Sequence, residues 1–358
     1  MNIVISGLGV MGASLALAIK NSTKNHTIWG YDKDEVLTQA LEKKIIDIAI
    51  ADWPNSMHDA DLIFLATPIN IIKKHLSELN GKIGYTTVVT DIGSTKAEIK
   101  EFCKSIQFSG NYIGGHPMTG AEKSGLQAAN PLLYENAIYI LCGDKEDIDE
   151  PVKEKLLPVL TGIKARIYFL DADHHDKVMA GISHLPQMIA IALMNMVGRR
   201  NDGFNHYFDL AAGGFRDLTR IASSSSQIWQ DIITTNKSNI SKAISDFIDQ
   251  LNIGKENLDN ISSEFLKANQ YRERVPKVSK GFLSPLTDVL VYVNDQIGVI
   301  AKISNALFEK NIDIRDIELL KIREKEGGVF MLSFENPQKA EEAVTVLNSI
   351  NYNAFIKE

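Results

Sequence analysis

The sequence predicts an α/β Rossmann-type dinucleotide-binding domain, then an all-α domain, then a small α+β ferredoxin-like domain. Three observations carry this. The first half alternates β-rich runs with helical patterns, and a G-x-G-x-x-G stretch joins the first pair. From about Asp171 helical periods follow one another without strands. After Pro285 the order β-α-β-β-α-β begins afresh. The boundaries fall at 1–170, 171–253, a linker over 254–286, and 287–358.

In the first domain the expected strands are Asn2–Ser6, Thr27–Tyr31, Leu62–Ala66, Thr87–Thr90, Asn111–Gly114 and Ala137–Cys142, in a parallel sheet. Helices are expected at Met11–Lys20, Asp34–Lys43 and Val152–Leu160. The second domain opens with one long helix over Asp173–Val197, interrupted by Pro186 and ending at Gly198. Helices follow over Phe215–Ala222, Ser226–Thr234 and Asn239–Asn252. In the last of them Ile240, Ile244, Phe247 and Leu251 recur at 4-3-4 spacing, a seam that wants a partner helix and favours a homodimer over an ordinary bundle core. Residues 254–286 are polar, with Arg272, Arg274, Lys277 and Lys280 around Pro276, and read as a solvated tether. The tail gives strands Asp288–Val293, Asp313–Arg323, Val329–Glu335 and Asn353–Lys357, helices Gly298–Lys310 and Pro337–Ile350, and a hairpin turn at Gly327-Gly328.

Composition excludes several classes. Lys and Arg total 38 against 45 Asp and Glu, a net charge of −7, which argues against a protein that coats nucleic acid. Two cysteines, Cys103 and Cys142, are too few for a disulfide framework or a cysteine-rich zinc module, so no metal is expected and the setting is reducing and cytoplasmic. Ile3–Ile19 is nearly uncharged, but its glycines and length fit a strand, a turn and a helix start better than a membrane span. No later stretch is expected to compete, so the protein should be soluble.

Gly7-Leu8-Gly9-Val10-Met11-Gly12 lies between a strand and a helix. The first glycine permits the turn, the second lets a pyrophosphate approach the backbone, and the third packs helix on strand. Asp32, 20 residues past Gly12 at the end of the next strand, would accept hydrogen bonds from ribose hydroxyls and repel a 2′-phosphate. The pattern reads as NAD rather than NADP, tempered by the neighbouring Lys33. Val10, Met11 and Thr67, just past the strand Leu62–Ala66, complete the expected cofactor contacts.

Thr90–Lys96 follows another strand. Thr95 and Glu98 have capping-box spacing, so a plain helix start and a loop beside the cofactor are both open. Gly114-Gly115-His116-Pro117 makes a constrained loop at a strand end, where an imidazole can take a proton from an alcohol as hydride leaves. Asp176, His184 and Gln187 share one face of the long helix, lining a pocket or facing solvent. Arg216, Asp217 and Arg220 form either a surface ion pair or a carboxylate grip, with Trp229 in the next helix to wall the same pocket.

Together the glycine fingerprint, Asp91–Lys96, Gly114–Gly125, Ser183–Pro186 and Gly213–Ala222 make the whole chain resemble the prephenate dehydrogenases of tyrosine biosynthesis that carry a C-terminal ACT domain. The resemblance implies oxidative decarboxylation of prephenate to 4-hydroxyphenylpyruvate with NAD. It implies that His116 accepts the hydroxyl proton, that Ser94 orients His116 and the nicotinamide, and that Arg220, supported by Asp217, binds a substrate carboxylate. Asp176, Trp229 and Arg220 would form a gating network and His184 a pocket histidine. Many relatives have histidine where this chain has Gln187, and an amide can hydrogen-bond a keto or carboxylate group but cannot become cationic. The ACT resemblance places effector contacts at Asn294, Asp295, Gln296 and Gly298, with L-tyrosine as feedback inhibitor. Arogenate dehydrogenase and a non-catalytic sensor of NAD and amino acids are the alternatives. A 2-hydroxy-acid dehydrogenase would need its histidine and arginine in other motifs.

Overall fold

A computed structural model describes residues 1–22, 25–121, 123–146, 148–275, 286–323 and 327–357. Its contacts divide the chain into two units, Met1–Leu258 and Asp259–Glu358.

The first unit begins β1 (Asn2–Ser6), α1 (Val10–Asn21), β2 (Thr27–Tyr31), α2 (Asp34–Glu42), β3 (Ile48–Ala49), β4 (Leu62–Leu65), α3 (Ile69–Leu79), β5 (Val88–Asp91), α4 (Ala97–Ser105) and β6 (Asn111–Pro117). It continues with β7 (Ile138–Cys142), α5 (Leu157–Gly162) and β8 (Arg166–Leu170). The eight strands pair in the order β3-β2-β1-β4-β5-β6-β7-β8. The central strands are apolar on both faces, so each face is covered: Ile3, Ile5 and Phe64 pack in one core, Val4, Ile63 and Leu65 in the other.

The sheet departs from the all-parallel expectation at one place. β7 runs antiparallel to β6, and β8 then pairs parallel to β7. Between β6 and β7 the described residues hold one short helical turn, Leu126–Ala128, and no crossover helix to carry the chain back to the far edge. The edge strand β8 was not expected from sequence, although Ile167 and Phe169 alternate onto the core.

The helical part follows as α6 (Ala172–Met179), α7 (Leu185–Gly203), α8 (Gly213–Thr219), α9 (Ser226–Thr235) and α10 (Lys237–Glu256). A widened π-type turn, Ala180–His184, joins α6 to α7. Pro186 cannot donate to Ile182, and a widened turn is one way for a helix to absorb that lost bond without stopping. The helix also runs through Gly198, where an end was expected, to Gly203; a single glycine costs only about 1 kcal/mol inside a helix. Ala172–Gly203 is long and apolar enough to cross a membrane, contrary to the expectation that no later stretch competes. Its apolar window is 28% buried, and its polar residues His175, Asp176, His184 and Gln187 are buried and bonded to protein groups.

In the second unit the stretch expected as a tether holds a helix, α11 (Ser262–Arg274). Its exposed polar surface explains why composition read as linker, while Leu266, Lys267, Ala268 and Gln270 are good helix formers. Residues 276–285, with Pro276, Lys277 and Lys280, lie outside the described residues. Then come β9 (Thr287–Val293), α12 (Val299–Glu309), β10 (Asp316–Arg323), β11 (Gly327–Phe334), α13 (Pro337–Ser349) and β12 (Asn353–Ile356). The sheet order β10-β11-β9-β12, all antiparallel, is the ferredoxin-like arrangement. Val289, Val291, Leu332 and Phe334 meet Ile303, Leu307 and Leu347 in a separate core.

Candidate active site

The carboxyl ends of β1, β2, β4, β5 and β6 share one edge, where open α/β sheets take ligands. At β1 the glycines have different jobs. A Cβ on Gly7, whose φ is +93°, would lie 2.6 Å from the Ala66 carbonyl oxygen, and one on Gly12 would lie 1.9 Å from that of Gly7. A Cβ on Gly9 would meet nothing within 4 Å. Gly9 precedes the first turn of α1, whose amides receive no side-chain cap, so the open space faces free N–H donors. The Asp32 carboxylate is held at the end of β2 by the amides of Leu8 (2.6 Å) and Lys33 (2.7 Å). Thr67 Oγ1 is buried with no protein partner. Open glycine space, uncapped amides, a fixed carboxylate and an unpaired hydroxyl fit a dinucleotide.

At β5 and β6 a buried polar cluster stands behind the edge. Lys96 and Asp91 are essentially inaccessible and ion-paired. Lys96 Nζ also donates to the Gly115 carbonyl at 2.8 Å, while Asp91 accepts from the Tyr112 hydroxyl and the Gly93 amide, each at 2.7 Å. The next residue after Gly115 is His116. Its Nδ1 lies 2.8 Å from His175 Nε2, and His175 Nδ1 lies 2.8 Å from Asp176 Oδ1. Burial, reinforced by the neighbouring His175, Lys96 and His184, holds His116 well below the usual imidazole range. The ring is therefore neutral at pH 7 and able to accept a proton.

Three family models match this chain: the nucleotide-binding domain of prephenate dehydrogenase over residues 15–169, the dimerization domain of prephenate dehydrogenase over 171–269, and the ACT domain over 287–351. The prephenate dehydrogenase of Bacillus subtilis (strain 168) is 33% identical over 349 residues, 95% of this chain and 94% of that protein.

The chain belongs to the prephenate dehydrogenase family.

It is accordingly an NAD-dependent dehydrogenase. Among solved structures, the prephenate dehydrogenase of A. aeolicus in complex with hydroxyphenyl propionate and NAD+ superposes with a TM-score of 0.70 at 30% identity, covering 76% of this chain and 97% of that one. Synechocystis arogenate dehydrogenase gives a TM-score of 0.68 at 28% identity, covering 77% and 100%.

Within this prephenate dehydrogenase fold the other expected residues fall into place unevenly. Ser94 is partly exposed and forms no hydrogen bond among the described residues. The inner ring nitrogen of His116 is engaged by His175. Asp176 is buried. Its two oxygens accept the Lys96 and Ala97 amides at 2.8 and 2.9 Å, because the first turn of α4 presents bare donors there. Asp176 thus does what Thr95 and Glu98 were expected to do. Glu98 instead pairs with Lys73, and the Thr95 hydroxyl meets that of Thr235 at 2.7 Å.

His184 is buried under Trp229, edge to face at 5.9 Å, and Asn236 Nδ2 donates to its Nδ1 at 3.3 Å. Burial takes its pKa down to about 4, against the opposing pull of Asp176. Gln187 is also buried, and its amide donates to the Ile221 carbonyl at 2.9 Å, fixing the turn that begins at Arg220. Arg220 and Asp217 are both exposed. The solvated-face reading of Asp176, His184 and Gln187 is therefore set aside. Sequence reasoning missed His175 and Asn236 and gave Lys96 no role. The signal for His175 was there: a His-His-Asp run at the start of a helix.

In the second unit Asn294, Asp295, Gln296 and Gly298 form the loop between β9 and α12 and border an open depression with Ile300 and Phe330. Gly298 holds a φ of +87° just before α12, a conformation that favours glycine.

Proposed function

We propose that the chain oxidatively decarboxylates prephenate to 4-hydroxyphenylpyruvate, in the cytoplasm, with NAD preferred over NADP. The observation that supports this best is His116, a neutral imidazole fixed at the nucleotide edge with its inner nitrogen engaged. NAD, when bound, accepts the hydride from the ring carbon that bears the hydroxyl. His116 Nε2 takes the hydroxyl proton as the hydride leaves. Carbon dioxide then departs from the same ring and makes it aromatic, so the protein's main tasks are alignment and proton acceptance. Arg220 is assigned to a substrate carboxylate, held in place by the Gln187 bond to Ile221. Trp229 and His184 are assigned to the pocket wall, Ser94 to the nicotinamide side, and Asp217 to support of Arg220.

The test is NADH formation by the purified chain with prephenate and with arogenate, each with NAD and NADP. Turnover of prephenate with NAD is expected. Preference for arogenate would transfer the assignment to that substrate, and Gln187, whose amide is already engaged, would be the first residue to examine. No turnover with either would favour a sensor.

Feedback inhibition by L-tyrosine through the loop Asn294–Gly298 is part of the proposal. Asn294→Ala in the full chain should raise the half-inhibitory tyrosine concentration about tenfold or more, the equivalent of 1.4 kcal/mol, with uninhibited turnover unchanged. An unaltered inhibition curve would place the effector elsewhere. The helical seam supports a homodimer: Ile240 is buried and Ile244 and Phe247 are half-buried, but Leu251 is 57% exposed. Sedimentation of the free protein reads this directly.

A further inference from the structure

We propose that His175 and Asp176 are positioning residues that set the tautomer of His116, with the polarity of the relay dictated by the first turn of α4. The proposal rests on the reading of His116 as the proton acceptor, and it follows from counting donors.

The Lys96 and Ala97 backbone amides can only donate, and they donate to Oδ1 and Oδ2 of Asp176 at 2.8 and 2.9 Å. Asp176 therefore presents acceptors. Its Oδ1 also meets His175 Nδ1 at 2.8 Å, so the hydrogen in that contact belongs to the imidazole. A neutral His175 protonated on Nδ1 has a lone pair on Nε2. That lone pair faces His116 Nδ1 at 2.8 Å, so His116 must be the donor there. The hydrogen on Nδ1 leaves His116 Nε2 bare. The nitrogen not engaged with the protein is thus the basic one.

The relay cannot easily run the other way, because reversing it would set the lone pair of His175 Nδ1 against a carboxylate oxygen of Asp176 that has no hydrogen to give. Asn236 steadies it from a third side, donating from Nδ2 to the Asp176 carbonyl at 2.7 Å. The other titratable groups around His116 are Lys96 with its partner Asp91, and His184. Lys96 is committed to Asp91 and the Gly115 carbonyl, and His184 Nδ1 receives the other Asn236 hydrogen, so neither competes for His116 Nδ1. When His116 takes the substrate proton, the imidazolium is stabilised through His175 by Asp176, as a carboxylate stabilises the histidine of a hydrolase triad through one bond fewer.

Imidazole nitrogen NMR on the full chain reads the tautomers, with His116→Asn and His175→Gln spectra supplying the assignments. At neutral pH both rings should carry hydrogen on Nδ1. In Asp176→Leu no acceptor meets His175 Nδ1, so both rings should lose their fixed tautomer and populate Nε2–H as well. Wild-type His116 protonated on Nε2 would overturn the proposal, whether or not the chain oxidises prephenate. Kinetically, Asp176→Leu should lower kcat about 10²–10⁴-fold with KM within threefold, the size seen where a catalytic histidine loses its correct tautomer. His175→Phe should lose turnover similarly, and His175→Gln, which can donate to Asp176 and accept from His116, should recover at least tenfold over Phe. Equal loss in Phe and Gln would mark a packing role and sink the relay. A wild-type chain inert toward prephenate would end the functional reading and leave the tautomer measurement to decide the relay by itself.

Discussion

His116→Asn lowers kcat by about 10²–10⁴-fold and leaves the NAD dissociation constant within twofold; this is the largest kinetic effect expected in the molecule. Asparagine can still hydrogen-bond a hydroxyl, so the substrate is held but its proton has no acceptor. The nucleotide contacts at Gly9, Asp32 and Thr67 belong to other strands, which is why cofactor binding should survive. The pH dependence separates the base from a mere binding residue. Burial, with His175, Lys96 and His184 nearby, moves His116 down from 6.5, so the base stays competent as pH falls through the ordinary histidine range. Wild-type kcat/KM should therefore hold through pH 6.5 and fall only where the depressed group protonates. The asparagine variant should lack that acid limb. A variant retaining a tenth of wild-type turnover, or the same acid limb, would remove His116 from proton transfer.

Lys96→Met should destabilise the first unit by about 3–5 kcal/mol, read by urea denaturation. The side chains fit in length, so the cost is electrostatic: Asp91 keeps its place behind β5 with no cation beside it. The Tyr112 hydroxyl and Gly93 amide remain as donors but cannot neutralise a charge in that setting. The double variant Lys96→Met with Asp91→Asn should recover part of the loss, because an amide oxygen can still accept from Tyr112 and no charge is stranded. A single-variant cost below 1 kcal/mol would mean that water reaches the pair. A double variant no better than the single one would mean that packing, not charge, dominates. Turnover should suffer too, since Lys96 holds the Gly115 carbonyl next to His116.

What the sequence made legible is what short stretches encode. Gly7 to Gly12, the alternation of the first domain and the order of the last one are local patterns, and the strands and helices lie within a few residues of the expected places. His116, Asp32 and the Arg220 turn could be named for the same reason. The misses are long-range. Asp176 caps α4 from 80 residues away, and no spacing rule in Thr95–Glu98 announces that a donor pair will be met from another domain. Gln187 turns to a backbone carbonyl 34 residues on, a choice set by packing rather than by its own chemistry. The antiparallel β7 depends on what the chain does between strands, and α11 on a helix that hides little apolar surface.

The widened turn at Ala180–His184 has a consequence for how this pocket can change. A regular helix advances about 100° per residue, and a π-type turn carries about one residue more for the same rise. Two segments of one helix are thereby dialled against each other, α6 toward the nucleotide domain with Asp176 and α7 toward the Arg220 turn with Gln187. Loss of one residue in that turn should wind it back to regular pitch and leave α7 where it is, because the extra residue is taken up inside the turn. Chain length at Gly181 is thereby a variable that can change while Asp176 and Gln187 keep their places on either side.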